Sequence, residues 1–403
     1  LMNRAHHADV GGTEPGSMSG ARDIYGEGFL MPPLHLLRSG KAVEEVWKLL
    51  QANVRNPEAA LGDLQAQCAS LRRGQERLTE LCKRFGSKGV TTGMRQLLTH
   101  GERLTRALLR TWPDGSGSAL DLLHGPNSPQ LKCEIRKRGD RLIVDFNGSS
   151  AQVNSSWNTH KAVATSAVFY VLQALSPDEI PETSGTLAAV DLRFPRKSII
   201  SSEAPAGVAI GNVETSQRIV DVILQALSTL LGSAIPASSQ GTMNNFLFGG
   251  HDSHGKPFVY YETLGGGAGA SATSKGASAV QVHMTNTRNT PVEVLEKELP
   301  VRVHELKIRK GSGGKGMHSG GDGLKKELEF LVPARVTVTG TRRTQGAPGA
   351  CSGKNGKAGA EHFKVKGARG WIRMLPGKAI DVSAGDRVRI QTPGGGGWGK
   401  RRK

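Results

Sequence analysis

Apolar positions along the chain change their rhythm twice. From Ala42, the residues Val43, Val46, Trp47, Leu50 and Val54 recur at the three-to-four spacing of one helix face, with Ser39 placed to cap the start and Pro57 to limit the end. The next run is stronger: Leu61, Leu64, Cys68, Leu71, Leu78, Cys82 and Phe85 follow a heptad broken only by Gln75, and Gly86 is placed as a stop. Met94, Leu97, Leu98, Leu104 and Leu108 predict a third helix ending at Trp112-Pro113. These helices can pack as an antiparallel hairpin or against a second subunit, and intramolecular packing is the simpler expectation.

Beyond Leu131 the rhythm becomes alternation. Leu131, Cys133 and Ile135, then Leu142, Val144 and Phe146, flank Arg138-Gly139-Asp140 and predict a β-hairpin. Asn158 is placed to cap a helix carrying Ala162, Val163, Ala167, Phe169, Tyr170 and Leu175, and a second amphipathic helix spans about 216–231. From Val301 onward, short strands separated by glycine replace helical patterning. The expected fold is α+β. Residues 1–125 form a loop and helical region, 126–300 a mixed α/β domain with polar glycine-rich loops, and 301–403 a separate β-rich domain.

Composition narrows the function classes. With 403 residues, 37% hydrophobic and 22% charged, the chain has ample material for a core. No apolar run approaches the roughly 18 residues of a membrane helix, and the opening LMNRAHHADVGG lacks a secretory pattern, so a cytoplasmic protein with no membrane partner is expected. Cys68, Cys82, Cys133 and Cys351 are widely separated and read as free thiols. The net charge of +18 points at first to a polyanion, yet residues 301–403 alone carry +16. There the basic residues are spread over strands and glycine loops without interleaved aromatics, which favours a solvated surface over a nucleic-acid site. The terminal Lys400–Lys403 run reads as a charged tail.

Familiar nucleotide motifs fail on inspection. Gly250–Lys256 has P-loop spacing, but Pro257 stands where a magnesium-binding hydroxyl and a helix start are required. Gly311–Gly316 fits a dinucleotide spacing but runs on into more glycine. Four other polar segments are harder to explain as core or plain surface: GNVETSQR from Gly211, SSQGTMNN from Ser238, YYETLGGGAGA from Tyr260 and HMTNTRNTP from His283. Converging on one cavity, they would place Glu214 and Glu262 as acid, base or ligand, and Arg288 as the group that fixes an anion or carbonyl. Asn212, Thr215, Gln240, Asn244, Asn245, Thr263, Asn286 and Thr287 would bind substrate. The competing reading is a self-satisfied hydrogen-bond network holding the loops together. The adjacent His6 and His7 point to opposite faces of an extended chain, so one can ligate a metal while the other supports it or the substrate.

Seven segments in order, NRAHHADVGGTEPGSM, GNVETSQRIVDVIL, ASSQGTMNN, YYETLGGGAGA, GASAVQVHMTNTRNTPVEVLE, GSGGKGMHSGGDGLKKELEF and TPGGGGWG, give the chain a resemblance to the hydantoinase B family. The resemblance implies the second subunit of an ATP-dependent hydantoinase or oxoprolinase, a hydrolase of carbon–nitrogen bonds in cyclic amides such as 5-oxoproline. Its implied partner is a hydantoinase A type subunit that uses ATP to phosphorylate the substrate carbonyl oxygen. It also implies a divalent metal (zinc, manganese or iron), with His7 as ligand, His6 as its neighbour and Asp9 as a supporting carboxylate. The family carries further metal ligands on a stretch preceding the position of Leu1, so the resemblance implies a truncated or split subunit, an incomplete metal site and doubtful activity of this chain alone. An acetone or acetophenone carboxylase subunit, or an inactive remnant, are the alternatives.

Overall fold

The computed structural model describes residues 1–16, 18, 20–123 and 128–400. The boundary expected near residue 125 and residues 401–403 of the basic tail lie outside the described residues.

The first core forms where the hairpin and helix patterns meet. Strands Gly115–Leu122, Gln130–Arg138 and Arg141–Asp145 pair antiparallel, and Val190–Arg193 adds a parallel edge. The tight hairpin turn places Gly139 at φ 59°, where a Cβ would be strained. Helices Lys161–Ala174 and Ser216–Leu231 contribute Ala167, Val171, Val220 and Ile223 to the same apolar cluster as the sheet residues Ile135 and Val144 and the adjoining Phe146. The first of these helices starts after His160 rather than Asn158. Asn158 is buried instead in a loop clamp, its amide donating to the carbonyls of Val153, Ser155 and Gly207.

The second core lies between two sheets. A five-stranded sheet runs in the order Ile372–Arg373, Ala360–Lys364, Arg387–Gln391, Gly323–Phe330, Val301–Arg309. A four-stranded sheet runs Ile380–Val382, Ala334–Thr339, Asn245–His251, Pro257–Thr263. Phe248 of the second meets Phe330 of the first edge-to-face at 5.3 Å between ring centres. This sheet crosses the boundary expected at residue 300, because 245–263 pair with strands drawn from 334–382.

Glycine packs the remainder. Segments around 265–279, 311–323, 346–359 and 393–399 run side by side and bond backbone to backbone, for example Gly321 N to Ala268 O and Gly395 N to Gly321 O, both 2.9 Å. A Cβ added at Gly267, Gly321 or Gly395 would collide with a neighbouring main-chain carbonyl. The failed dinucleotide motif at Gly311–Gly316 lies in this lattice.

The predicted heptad and its successor are one helix, Pro57–Thr111, interrupted at Gly86, which has φ 71° and ψ 153°. Only its last turns, with Leu108 and Leu109, enter the first core; its described side chains between 61 and 100 are half-buried or exposed. No helix among the described residues is long and apolar enough to cross a membrane.

Candidate functional site

All four polar segments reach one cleft of about 390 Å³. Helix Ser216–Leu231 is preceded by a wider π-helical turn, Gly211–Thr215, that turns Asn212 toward the cleft. The end of strand Pro257–Thr263 contributes Tyr261, Glu262 and Thr263, and the loop before helix Val292–Glu298 contributes Asn286, Thr287 and Arg288. Met243 comes from the remaining segment. The amino-terminal segment supplies His6, whose Nε2 lies 3.1 Å from the Asn212 side-chain amide. Two ion pairs hold that segment: Asp9 to Arg55 at 2.8 Å, and Glu14 Oε1 to Arg335 Nη2 at 2.7 Å.

The cleft residues are locked from behind. Glu262 is nearly buried, paired with the buried Lys326 ammonium, and accepts from the Asn289 amide at 2.9 Å. Asn289 also donates to Thr263 O at 3.0 Å, which ties the strand end to the 286–290 loop. Lys326 escaped the sequence reading, although a signal was present. It alternates with Leu324, Leu328 and Phe330 on the apolar side of its strand, where a lysine needs a partner.

The other expected residues form the support. Glu214 is fully buried and accepts from Met243 N and Thr341 N, both at 3.0 Å, and from the Asn245 amide at 2.8 Å. Burial raises its pKa, against the lowering effect of the Thr242 hydroxyl, the Arg343 charge and the two backbone donors. Asn245 in turn accepts from the Tyr261 hydroxyl at 2.9 Å, linking Glu214 to the cleft wall. Thr215 donates to Trp157 O, and Asn244 bridges Gln240, Leu264 and Arg343. For Glu214, Thr215, Asn244 and Asn245 the structure therefore shows the satisfied-network arrangement, their polar atoms facing one another and the backbone behind the cleft; Gln240 accepts from Asn244 through its amide oxygen, while its amide nitrogen is buried without a partner among the described residues.

A second buried network lies beyond the 283–286 loop. Arg218 and Arg342 clamp Asp121 at 2.6 and 2.8 Å, and Arg342 also reaches Asp221 at 3.1 Å. Burial would raise the Asp221 pKa, but the His283 contact and the two guanidinium charges outweigh it and hold it down at about 2. Thus the charges of GNVETSQR and HMTNTRNTP divide between cleft and scaffold. Arg288 is exposed at the cleft mouth and forms no ion pair or side-chain hydrogen bond among the described residues.

The three expected metal ligands do not converge. His7 turns to the long helix, with Nε2 3.0 Å from the Gln67 amide and Nδ1 3.7 Å from Asp63. Asp9 spends its carboxylate on Arg55 and the Gly11 backbone. Of the three, His6 is the one that lines the cleft. Among the described residues no three His, Cys, Asp or Glu side chains gather as a metal-holding group. The donor set of this chain thus does not fit a three-ligand centre on its own.

Comparison with known proteins agrees with the fold and the motifs. The sequence matches the family described as Hydantoinase B/oxoprolinase over residues 1–401. It is 37% identical to 5-oxoprolinase 1 of Arabidopsis thaliana across 99% of this chain and 33% of that protein. With the 5-oxoprolinase of Saccharomyces cerevisiae it shares 34% identity across 99% of this chain and 33% of the relative. The chain therefore spans about a third of these relatives. The crystal structure of an ATP-dependent caprolactamase from Pseudomonas jessenii superposes with a TM-score of 0.88 at 26% identity, covering 98% of this chain and 72% of that one. The chain belongs to the Hydantoinase B/oxoprolinase family.

Proposed function

We propose that this family member acts as the B-type subunit of an ATP-dependent cyclic amide hydrolase, opening a small lactam or hydantoin ring of the 5-oxoproline kind. A partner A-type subunit would first phosphorylate the ring carbonyl oxygen. One observation carries the reading: His6, Asn212, Glu262 and the 286–288 loop face a single cleft of about 390 Å³, a volume suited to a small ring. The names of the relatives, two 5-oxoprolinases and a caprolactamase, agree on cyclic amides.

An amide carbon resists attack until its oxygen carries a leaving or electron-withdrawing group, and that step belongs to the partner and its ATP. The residues of this chain then have distinct tasks. Arg288, unpaired at the mouth, receives the anionic group of the activated substrate. Asn286 and Thr287 hydrogen-bond the ring amide. His6, whose ring nitrogen lies beside the Asn212 amide, takes the proton from the water that adds to the ring carbon and passes it to the nitrogen as the carbon–nitrogen bond breaks; a second water then hydrolyses the acyl phosphate left behind, releasing phosphate and the carboxylate. Glu262, pinned by Lys326 and Asn289, fixes the wall against which the ring sits. A divalent ion held at this cleft would occupy His6 in place of its role as base, and its further ligands would have to come from outside the set this chain gathers.

The test is reconstitution with the A-type partner. Lactam-dependent ATP hydrolysis with ring opening is expected, and activity with ketone plus bicarbonate in its place would establish the carboxylase alternative. In the complete complex, Glu262→Gln should lower turnover at least about tenfold. Unchanged turnover would reduce Glu262 to scaffold, and no activity with either substrate class would leave the inactive remnant.

A further inference from the structure

Several basic residues of the last hundred positions converge at one place on the five-stranded sheet. In the strand register Arg373 and Arg389 both lie directly opposite His362, one on each neighbouring strand, so three basic side chains stand in a row across the sheet. Arg389 is fixed there, stacked over the Trp371 ring at 3.8 Å and bound to Glu327 at 2.8 Å. His362 and Arg373 border a cavity of about 500 Å³ whose other walls are Arg343 and the chain at 358–360. Arg309 reaches the same place from the edge strand Val301–Arg309, donating to Ala358 O at 2.8 Å and Thr392 O at 3.0 Å.

We propose that this cavity is a binding site for a phosphate-class oxyanion, separate from the cleft. The argument is unbalanced charge. Like charges directly opposite on paired strands cost stability, and burying a cation without a partner adds to the cost. Four guanidinium groups gather here, and two carboxylates touch them: Glu361 on Arg343, and Glu327, which Arg387 shares, on Arg389. Arg309 and Arg373 form no ion pair among the described residues and donate to carbonyl oxygens instead, Arg373 to Arg343 O at 3.1 Å. The buried Nδ1 of His362 has no hydrogen-bond partner there either. A dianion in the cavity would balance the charge that the carboxylates leave over. The planar fork of Arg373 matches a tetrahedral oxyanion, and the imidazole beside it adds a further donor. The site uses only residues of this chain, so it stands whether or not a ring is opened at the cleft.

Calorimetry of the full chain at physiological salt should show inorganic phosphate binding at a single site, displaced by sulfate and not by acetate at equal ionic strength. Arg373→Ala should weaken it at least about tenfold, and Lys88→Ala, on the long helix, should leave it unchanged. Arg373 is exposed on an edge strand, so its truncation should preserve the fold, which circular dichroism checks. Arg343 is kept because it also donates to Asn244 behind the cleft. A second measurement needs no variant. Burial and the charges of Arg389, Arg373 and Arg309 hold the His362 pKa below its ordinary value, against the pull of Glu361. Its imidazole signals, followed by NMR across pH, should therefore titrate higher once phosphate is bound. Glycerol phosphate competing as strongly as phosphate would identify the phosphoryl group of a larger molecule as the ligand, and weaker competition would identify free phosphate. No binding with an unmoved His362, binding indifferent to Arg373→Ala, or acetate held as tightly as phosphate overturns the proposal.

Discussion

The glycine lattice and the long helix are built from opposite materials. In the lattice the neighbours of each segment are other backbones, so the contact surface is carbonyl, amide and Cα, and no side chain defines it. In the arm from 61 to 100 the backbone is satisfied within its own helix; the amino-terminal segment touches it at Asp63, Gln67, Ser70 and Gly74 and the Gly185 turn at Leu98, while its side chains stay half-buried or exposed. A glycine therefore means different things in the two places. The 53 glycines look like a reservoir of flexibility in the composition, yet those of the lattice are among the most confined positions of the molecule. The lattice also positions the cleft: Gly266 sits against the Gln240 side chain that holds Asn244, so the support behind the substrate loops is anchored to it.

The largest expected effect is Gly321→Ala. The added Cβ would collide with Ala277 O, and relief requires moving segments that share the Gly321–Ala268 and Gly395–Gly321 hydrogen bonds. Overpacking alone costs about 1–3 kcal/mol, and with those two bonds disturbed the loss should reach about 4 kcal/mol, in the range reserved for severe core lesions. Denaturant unfolding measures it. A loss below about 1 kcal/mol would mean that the segments slide past one another and the lattice is loose.

This contrast also explains what could be read from the residues in advance. Helix Ser216–Leu231, the hairpin around Gly139 and the strands after Val301 follow from side-chain periodicity, and all are present. The lattice has no periodic side-chain signature, because it is held by main-chain atoms, so its segments read as loops. The sheet joining 245–263 to 334–382 was equally hidden: each strand is legible, but strand partners far apart in sequence are not encoded in local alternation. In the cleft, the convergence of the four polar segments was legible. Which of their residues would face inward was not, since Glu214 and Glu262 have the same chemistry in sequence and differ only in how many buried donors surround them. For the two histidines the alternation rule predicted opposite faces, and the contacts of His7 with Gln67 and Asp63 decide which one turns away.

Acid should separate the two regions next. Behind the lattice, Asp221 has its pKa depressed from 3.8 to about 2, the His283 contact and the guanidinium groups overcoming the opposing effect of burial, and that of Asp121 is lowered by the same guanidinium groups. A depressed carboxylate contributes stability that is complete above its unfolded pKa and lost as pH falls through its folded one, so this contribution drains between 3.8 and about 2. For Asp221 the amount is on the order of 2 kcal/mol. In the arm, the exposed pairs Arg73–Glu76 and Arg77–Glu80 contribute little, because water and salt screen them. Unfolding free energy measured across that window should fall in wild type and fall equally in an Arg73→Ala/Arg77→Ala variant. A flat acid limb, or one abolished by the arm variant, would reverse the assignment of where the electrostatic stability lies.

The smallest effect is the most discriminating, because it repeats the lattice substitution with the opposite sign. Gly93 lies in the exposed part of the long helix, and an added Cβ would have nothing within 4 Å. No strain or collision opposes alanine there, while glycine pays more conformational entropy on entering a helix. Gly93→Ala should therefore stabilise the arm by about 0.5–1 kcal/mol. Because the arm shares few contacts with either core, its local opening is better read by amide hydrogen exchange along 87–100 than by global unfolding. Protection should rise there and stay constant in the lattice segments. A loss of protection in the arm would show that position 93 is packed against something, and the difference between a helix open to solvent and a lattice closed on itself would no longer hold at that end of the molecule.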